Sequence, residues 1–139
     1  MKEIEEFNQD FGLLVETGFV AVKQGDEDSA VKLFRAAQLI RPSSVEPQIG
    51  FGYIALNKLE LKEAETIFNS VIEQRPDNDL ARTFLGLVLM LAKTDPERGE
   101  KLVNETISTC KDASIVDFAN TCLKWKEEYF SKEAGKLHV

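Results

Sequence analysis

The stretch Gly50-Phe51-Gly52-Tyr53-Ile54-Ala55 matches the glycine fingerprint of dinucleotide sites, where backbone N–H groups meet a pyrophosphate. That chemistry requires a strand turning into a helix, and no strand pattern precedes Gly50, so helix packing is the reading it favours. His138, the sole histidine, stands beside the C-terminal residue without positioned partners for a triad or a metal. Carboxylates are frequent, among them Glu60, Glu63, Glu65, Asp95, Glu97, Glu127 and Glu128. Their spacing reads as solvated helix face, and nothing beside them would tune one as a general acid. Cys110 and Cys122 match no metal-ligand spacing and read as small hydrophobes in a reducing compartment, one of them partly exposed. Trp125 and Tyr129 lie one turn apart, a core pair first and an exposed partner patch second. The residues therefore imply no catalytic, cofactor or metal site, and the chain is expected not to be an enzyme.

Charge and length narrow the partners. Seventeen basic against 24 acidic residues leave a formal net charge of -7. Nucleic-acid backbones and anionic membranes demand clustered Lys and Arg, so both are disfavoured. The longest apolar run, from Leu85 to Ala92, is broken by Gly86 and is too short to insert in a membrane. The first six residues, Met1-Lys2-Glu3-Ile4-Glu5-Glu6, are acidic and lack the layout of a secretory signal. These features imply a cytoplasmic protein, and 139 residues suit a single domain, 1–139.

The elements that must position any site follow from an internal repeat. Gly18, Gly52 and Gly86 stand 34 residues apart, as do Ala30 and Ala64, Phe34 and Phe68, and Pro42 and Pro76. Each unit needs small residues where its two helices cross, a Phe beside the crossing, and a proline to stop the second helix. Ser44, Asp77 and Asn78 offer side-chain oxygens to start the helices that follow. The third unit departs from the pattern, with Arg98 at the Ala position and Cys110 at the proline position. One inserted residue near Thr94-Asp95-Pro96 puts Gly99 and Val103 in the small and filler roles, with Pro96 first in its helix and Thr94 or Asp95 as cap. The helices are expected at about 5–24, 28–41, 45–57, 61–74, 78–93, 96–110 and 113–131, with 132–139 a frayed tail.

A 34-residue period in the order Gly, Ala, Phe, Pro resembles the tetratricopeptide repeat family. The family's large aromatic near the start of each unit is missing, Leu14, Gln48 and Arg82 standing there instead. The resemblance implies an all-α fold: repeats at about 11–44, 45–78 and 79–112, and a capping helix at about 113–131. These would stack into a curved solenoid whose first helices line an apolar concave groove. The family's inward positions fall on Val15, Phe19 and Val22, on Ile49, Tyr53 and Leu56, and on Leu80, Phe84, Leu87, Met90 and Leu91. Gly50, also inward, would let a ligand backbone approach closely. Adaptors of this family that hold a terminal carboxylate use Lys, Arg and Asn here, and only Lys23 and Asn57 could serve. An apolar segment or an amphipathic helix suits the lining better. The competing reading is that this stripe is core, covered by the segment Ile4–Phe7 or by the last helix.

Three repeats, an acidic chain, an apolar inner surface and a closing helix are similar to the cytoplasmic chaperones of bacterial type III secretion, above all those of the needle subunit. That resemblance implies a chaperone that sequesters an amphipathic helix of a needle-subunit protein, together with a small helical co-chaperone, and prevents premature polymerisation. Chaperones of type III translocator proteins share the three-repeat design, and a general tetratricopeptide scaffold is the remaining alternative. Four apolar anchors are worth about 6–12 kcal/mol gross, whereas association and ordering consume roughly 4–15 kcal/mol. A groove alone would hold its client weakly, and a second contact surface would help.

Overall fold

The computed structural model describes the backbone of residues 2–137 and the side chains of residues 9–128. Its elements are α1 (Lys2–Lys23), α2 (Glu27–Ile40), α3 (Glu46–Asn57), α4 (Leu61–Gln74), α5 (Asp79–Ala92), α6 (Pro96–Thr109) and α7 (Ala113–Leu137). Every described element is a helix, no strand occurs among the described residues, and within each compact unit consecutive helices pack against one another. The chain divides into two compact units, Met1–Pro76 with α1 to α4 and Asp77–Val139 with α5 to α7.

In the first unit the crossing residues explain the packing. Ala30, Phe34, Ala64 and Phe68 are fully buried. A Cβ added to Gly18 would stand 2.5 Å from the Phe34 ring, and one added to Gly52 would stand 2.6 Å from the Phe68 ring. Each ring therefore occupies the space that a missing side chain leaves on the partner helix. Phe34 meets Phe19 and Phe51 edge to face, with centroids 5.3 and 5.7 Å apart. The helices stop where the sequence requires: Arg41 and Arg75, each before a proline, leave the helical region at ψ 84° and 81°. Ser44 Oγ then accepts the Glu46 N–H at 3.3 Å, and Pro47 sits in the first turn of α3.

The turns inside the hairpins carry a second 34-residue series. Gly25, Leu59 and Lys93 all take positive φ, at 77°, 58° and 58°. Around Gly25 and Leu59 the closing hydrogen bonds are the same: Gly25 N–H to Val22 O with Asp26 N–H to Ala21 O, and Leu59 N–H to Leu56 O with Glu60 N–H to Ala55 O. This is the Schellman closure, which glycine serves without strain and leucine does not. Leu59 is 71% exposed and has little packing to offset that strain. Left-handed backbone costs an L-residue about 1–2 kcal/mol, and glycine's extra chain entropy costs about 0.5–1 kcal/mol. Leu59→Gly is therefore expected to stabilise the protein by about 0.5–1 kcal/mol. Urea unfolding should show a higher midpoint at unchanged slope; a lower midpoint would mean that the leucine makes contacts worth more than the strain.

The second unit solves the same crossing with smaller groups. A Cβ on Gly86 would lie 2.6 Å from Val103 Cγ2 and 2.7 Å from Gly99 O; one on Gly99 would lie 2.6 Å from Gly86 O. Here backbone meets backbone, so Val103, fully buried, fills the space that Phe34 and Phe68 fill in the first unit. Asn78 Oδ1 caps α5 through the Ala81 N–H at 2.9 Å, and Asp95 Oδ1 caps α6 through the Arg98 N–H at 3.2 Å. Thr83 and Thr106 are fully buried, and each hydroxyl donates to the carbonyl one turn earlier, Asp79 O at 2.8 Å and Leu102 O at 3.0 Å. Arg82 joins α5 to α6 through Glu105 at 2.7 Å. Asp112 precedes helix α7, and its Oδ1 accepts from the Ser114 N–H and hydroxyl in the first turn. It packs on both α5 and α6, with Ala119 and Cys122 buried against Met90 and Val103, and Phe118 edge-on to Phe84 at 5.0 Å.

Candidate functional site

The residues expected to line an inner surface fall into two groups. Val15, Val22, Ile49 and Leu56 in the first unit, and Phe84 and Met90 in the second, are buried. Val15 packs with Phe11 and Ala37; Val22 packs with Ala21, Ala30, Phe34 and Ile54. Phe19, Tyr53, Leu80, Leu87 and Leu91 are half-buried and keep part of their surface open. The reason is circumferential. Helix α1 is flanked by its own partner α2 and also by α3, and α5 by both α6 and α7, so these inward positions are covered from two sides. Most of the apolar stripe is thus core, and the open remainder is narrower than the sequence alone suggests. Ile4 and Phe7, considered as a cover for the stripe, lie outside the residues whose side chains are described.

Phe19 and Tyr53 form the centre of the accessible part in the first unit. Their rings lie side by side at 5.8 Å with a 37° tilt, one from α1 and one from α3. One turn further along, a cavity of about 260 Å³ opens among Val22, Lys23, Gly25, Glu27, Ile54, Asn57 and Lys58. Lys23 and Asn57 thus share one cavity, a convergence that the sequence pattern does not show. The polar rim is largely engaged. Lys58 Nζ pairs with Glu27 at 3.2 Å and with Glu60 at 3.3 Å. Its hydrogen bond to Glu27, then that to Glu60, holds the ammonium above its ordinary pKa. The Asn57 amide donates to Tyr53 O at 2.9 Å. A hydrogen bond shared between the Glu63 and Glu60 carboxyls lowers Glu60 and raises Glu63. A cationic side chain held by two carboxylates has little left for an anionic ligand.

The glycine fingerprint lies wholly inside α3. Gly50 does not face an incoming backbone: a Cβ there would stand 2.4 Å from the Phe34 ring, so this chain's own core fills the space kept for a ligand. Gly52 is closed by Phe68 in the same way. No group of three His, Cys, Asp or Glu side chains among the described residues could hold a metal ion. His138 and the side chains of Tyr129 and Phe130 lie outside the described residues, while Trp125 is half-buried on α7. No helix among the described residues is long and apolar enough to cross a membrane.

Neither cysteine is in a disulfide; Cys122 is buried and Cys110 partly so. Burial pushes the Cys122 thiol up to about 12. Partial burial, with the nearby Asp79 and Asp112 carboxylates adding to it, raises Cys110 as well. Because the thiolate is the reactive form, neither is a nucleophile near neutral pH. A chromogenic disulfide reagent at pH 8 is expected to titrate Cys110 slowly in the native protein and Cys122 only after unfolding. Two fast thiols without denaturant would contradict this packing of α7.

The exposed apolar residues are ones that the inward pattern does not include: Leu13 and Val20 on α1, Leu39 on α2, and Leu59 in the turn. The 34-residue register holds the signal for the first two, since their counterparts in later repeats are buried.

The chain matches no protein-family model, and no curated protein matches it. What the fold defines is an all-helical chain of repeated, packed hairpins.

Proposed function

We propose that this chain is a tetratricopeptide-like binding chaperone that acts by holding an apolar or amphipathic helical segment of another protein, without catalysis. The observation that carries this reading is the recurrence of one hairpin design. Phe34 on Gly18, Phe68 on Gly52 and Val103 on Gly86 repeat a small-against-large interlock on glycines 34 residues apart, the third filler displaced by the one inserted residue, and α7 packs on the last hairpin. Repeats of this kind bury one face of each first helix and leave another for partners. The half-buried Phe19–Tyr53 pair supplies an aromatic anchor of the type that dominates binding energy at interfaces. With a net charge of -7, the surface suits neither a phosphate backbone nor an anionic bilayer.

By its resemblance, the reading extends to the needle-subunit chaperones of bacterial type III secretion. The client would be the amphipathic helix of a needle-subunit protein, held in the bacterial cytoplasm with a small helical co-chaperone so that it cannot polymerise early. Affinity purification from the native cell, followed by mass spectrometry, tests this directly. A client smaller than one ordinary domain is the expected result, whereas a large apolar protein would point to a translocator chaperone. A client set unrelated to export would favour a general scaffold.

The accessible residues give a sharper test. Tyr53→Asp in the first unit and Leu80→Asp in the second place a charge on half-buried apolar surface. Each is expected to weaken client capture at least tenfold, about 1.4 kcal/mol, with a melting temperature close to that of the parent. Phe19→Asp is a poorer probe because Phe19 packs edge-on against the Phe34 ring. Unchanged capture by both variants would remove the accessible inner surface from the client site.

A further inference from the structure

The cavity beside the Phe19–Tyr53 pair is small and unevenly lined. Its volume of about 260 Å³ lies below the roughly 300–1,000 Å³ of clefts that take a whole small molecule. One bulky side chain suits that space better. Val22 and Ile54, 6% and 8% exposed, give it an apolar wall, and Lys23 and Asn57 stand at the last residues of α1 and α3. Phe19 and Tyr53 precede Lys23 and Asn57 by four residues each, so the aromatic pair and the cavity occupy consecutive turns of the same two helices.

The charged groups around the cavity satisfy one another with a single exception. Lys58 holds Glu27 and Glu60, Glu60 also shares a hydrogen bond with Glu63, and the Asp26 carboxylate accepts from the Ser29 N–H. The Lys23 ammonium is exposed and makes no hydrogen bond or ion pair among the described residues. The repeat does not demand a cation there, since the 34-residue step runs Lys23, Asn57, Leu91. Both α1 and α3 end at the cavity, and the partial negative charge of their last carbonyls disfavours an anion anywhere but beside Lys23.

Given the helix-holding function proposed above, on which this rests, we propose that the cavity is its specificity pocket. The pocket takes one large apolar side chain of the client helix, and Lys23 pairs with an Asp or Glu one turn away on that helix. Residues three or four apart share a helix face, so one segment fills the pocket and reaches Lys23 together. The client is thereby required to carry an internal acid beside its apolar anchor.

The probe is a displayed library of amphipathic helical peptides, randomised at apolar and flanking positions and selected on the purified full chain. The retained peptides are expected to share a large apolar residue with Asp or Glu three or four residues from it. A synthetic peptide of that pattern should bind at least about tenfold more weakly when its apolar residue is Ala. Its binding to Lys23→Gln should be about threefold to fivefold weaker. Lys23→Glu should weaken it further, and a Lys in place of the peptide's acid should restore binding to that variant. Neither substitution should move the melting temperature, because Lys23 has no partner among the described residues to lose. Carbodiimide coupling should join the peptide's acid to Lys23, and amidating the peptide's C-terminus should change nothing. A retained pattern without an acid, equal binding to the parent and both Lys23 variants, coupling elsewhere, or loss on amidation overturns the pocket while leaving a helix-holding surface that Tyr53→Asp still weakens. A library from which nothing is retained, or binding that ignores Tyr53→Asp, overturns that surface and the pocket with it.

Discussion

Phe34→Ala is expected to cost about 3–5 kcal/mol, enough to unfold much of the first unit at 37 °C, because removing a buried ring leaves both lost contacts and a cavity. The ring is fully buried and fills space on two helices at once, beside Gly18 on α1 and beside Gly50 on α3. It also forms the centre of an edge-to-face cluster with Phe19 and Phe51. Collapse cannot repair the site cheaply, since the glycines on either side have no side chain to move inward. Total stability of a domain is about 5–15 kcal/mol, so this single change removes a large share of it. Thermal and urea unfolding followed by far-ultraviolet circular dichroism measure the loss. A double-mutant cycle sharpens the claim. Gly18→Ala alone clashes with the ring, whereas Gly18→Ala combined with Phe34→Leu has room for the added methyl. The pair should be at least about 1 kcal/mol less destabilised than the sum of the single changes. Simple additivity would show that the ring and the glycine do not share that space.

Gly99→Ala is the second change with a large expected effect, and here two terms oppose each other. Alanine favours the helix over glycine by about 1 kcal/mol. Against that, the new Cβ would lie 2.6 Å from the Gly86 carbonyl oxygen, a backbone atom with no rotamer to escape into. Helices α5 and α6 must separate, loosening Val103 and, through it, the α7 contacts at Ala119 and Cys122. Overpacking of this kind costs about 1–3 kcal/mol or more, and with no flexible neighbour the upper end applies. The net expectation is destabilisation by about 2 kcal/mol, read as a lower urea midpoint. Gly12 supplies the control. It is also in a helix, but a Cβ there meets nothing within 4 Å, so Gly12→Ala gains the propensity term alone and should stabilise by up to about 1 kcal/mol. The two substitutions are chemically identical, and opposite signs would isolate the close approach of α5 and α6. Equal effects would sink it.

The small-residue rule at the helix crossings was legible in the sequence because a close crossing in every hairpin is what demands one glycine per repeat at a 34-residue step. The one-residue insertion in the third repeat was legible too: Pro96, Gly99 and Val103 lie where a shifted pattern requires, and the glycine contacts follow. Less legible was Gly50. Its position marks it as inward-facing, yet the space over it is taken by Phe34 from a helix earlier in the chain. Sequence spacing gives the direction of a side chain around its own helix. It does not give which neighbour arrives there first.

The same limit applies to the candidate site. The apolar identities of Val15, Val22, Ile49, Leu56, Phe84 and Met90 are equally consistent with a binding surface and with a core, because burial against the same chain and burial against a partner select the same residues. Only the packing of α1 with α2 and α3, and of α5 with α6 and α7, assigned them to the core and left Phe19, Tyr53, Leu80, Leu87 and Leu91 partly open. The left-handed turns at Leu59 and Lys93 were hidden for a related reason, since neither residue type favours that conformation and the closure around it is imposed by the hairpin.

By itself, then, the sequence determined the helical class, the repeat period, the hairpin boundaries to within a few residues and the acidic surface, all of which rest on local spacing, capping and charge. The tertiary structure alone decided which apolar residues are spent on the chain's own core, that Lys23 and Asn57 meet in one cavity, and that Val20 stands open where Ile54 and Val88 are closed. Those outcomes depend on which helix lies against which, and that is settled by competition among apolar faces distant in the chain, which no local pattern encodes.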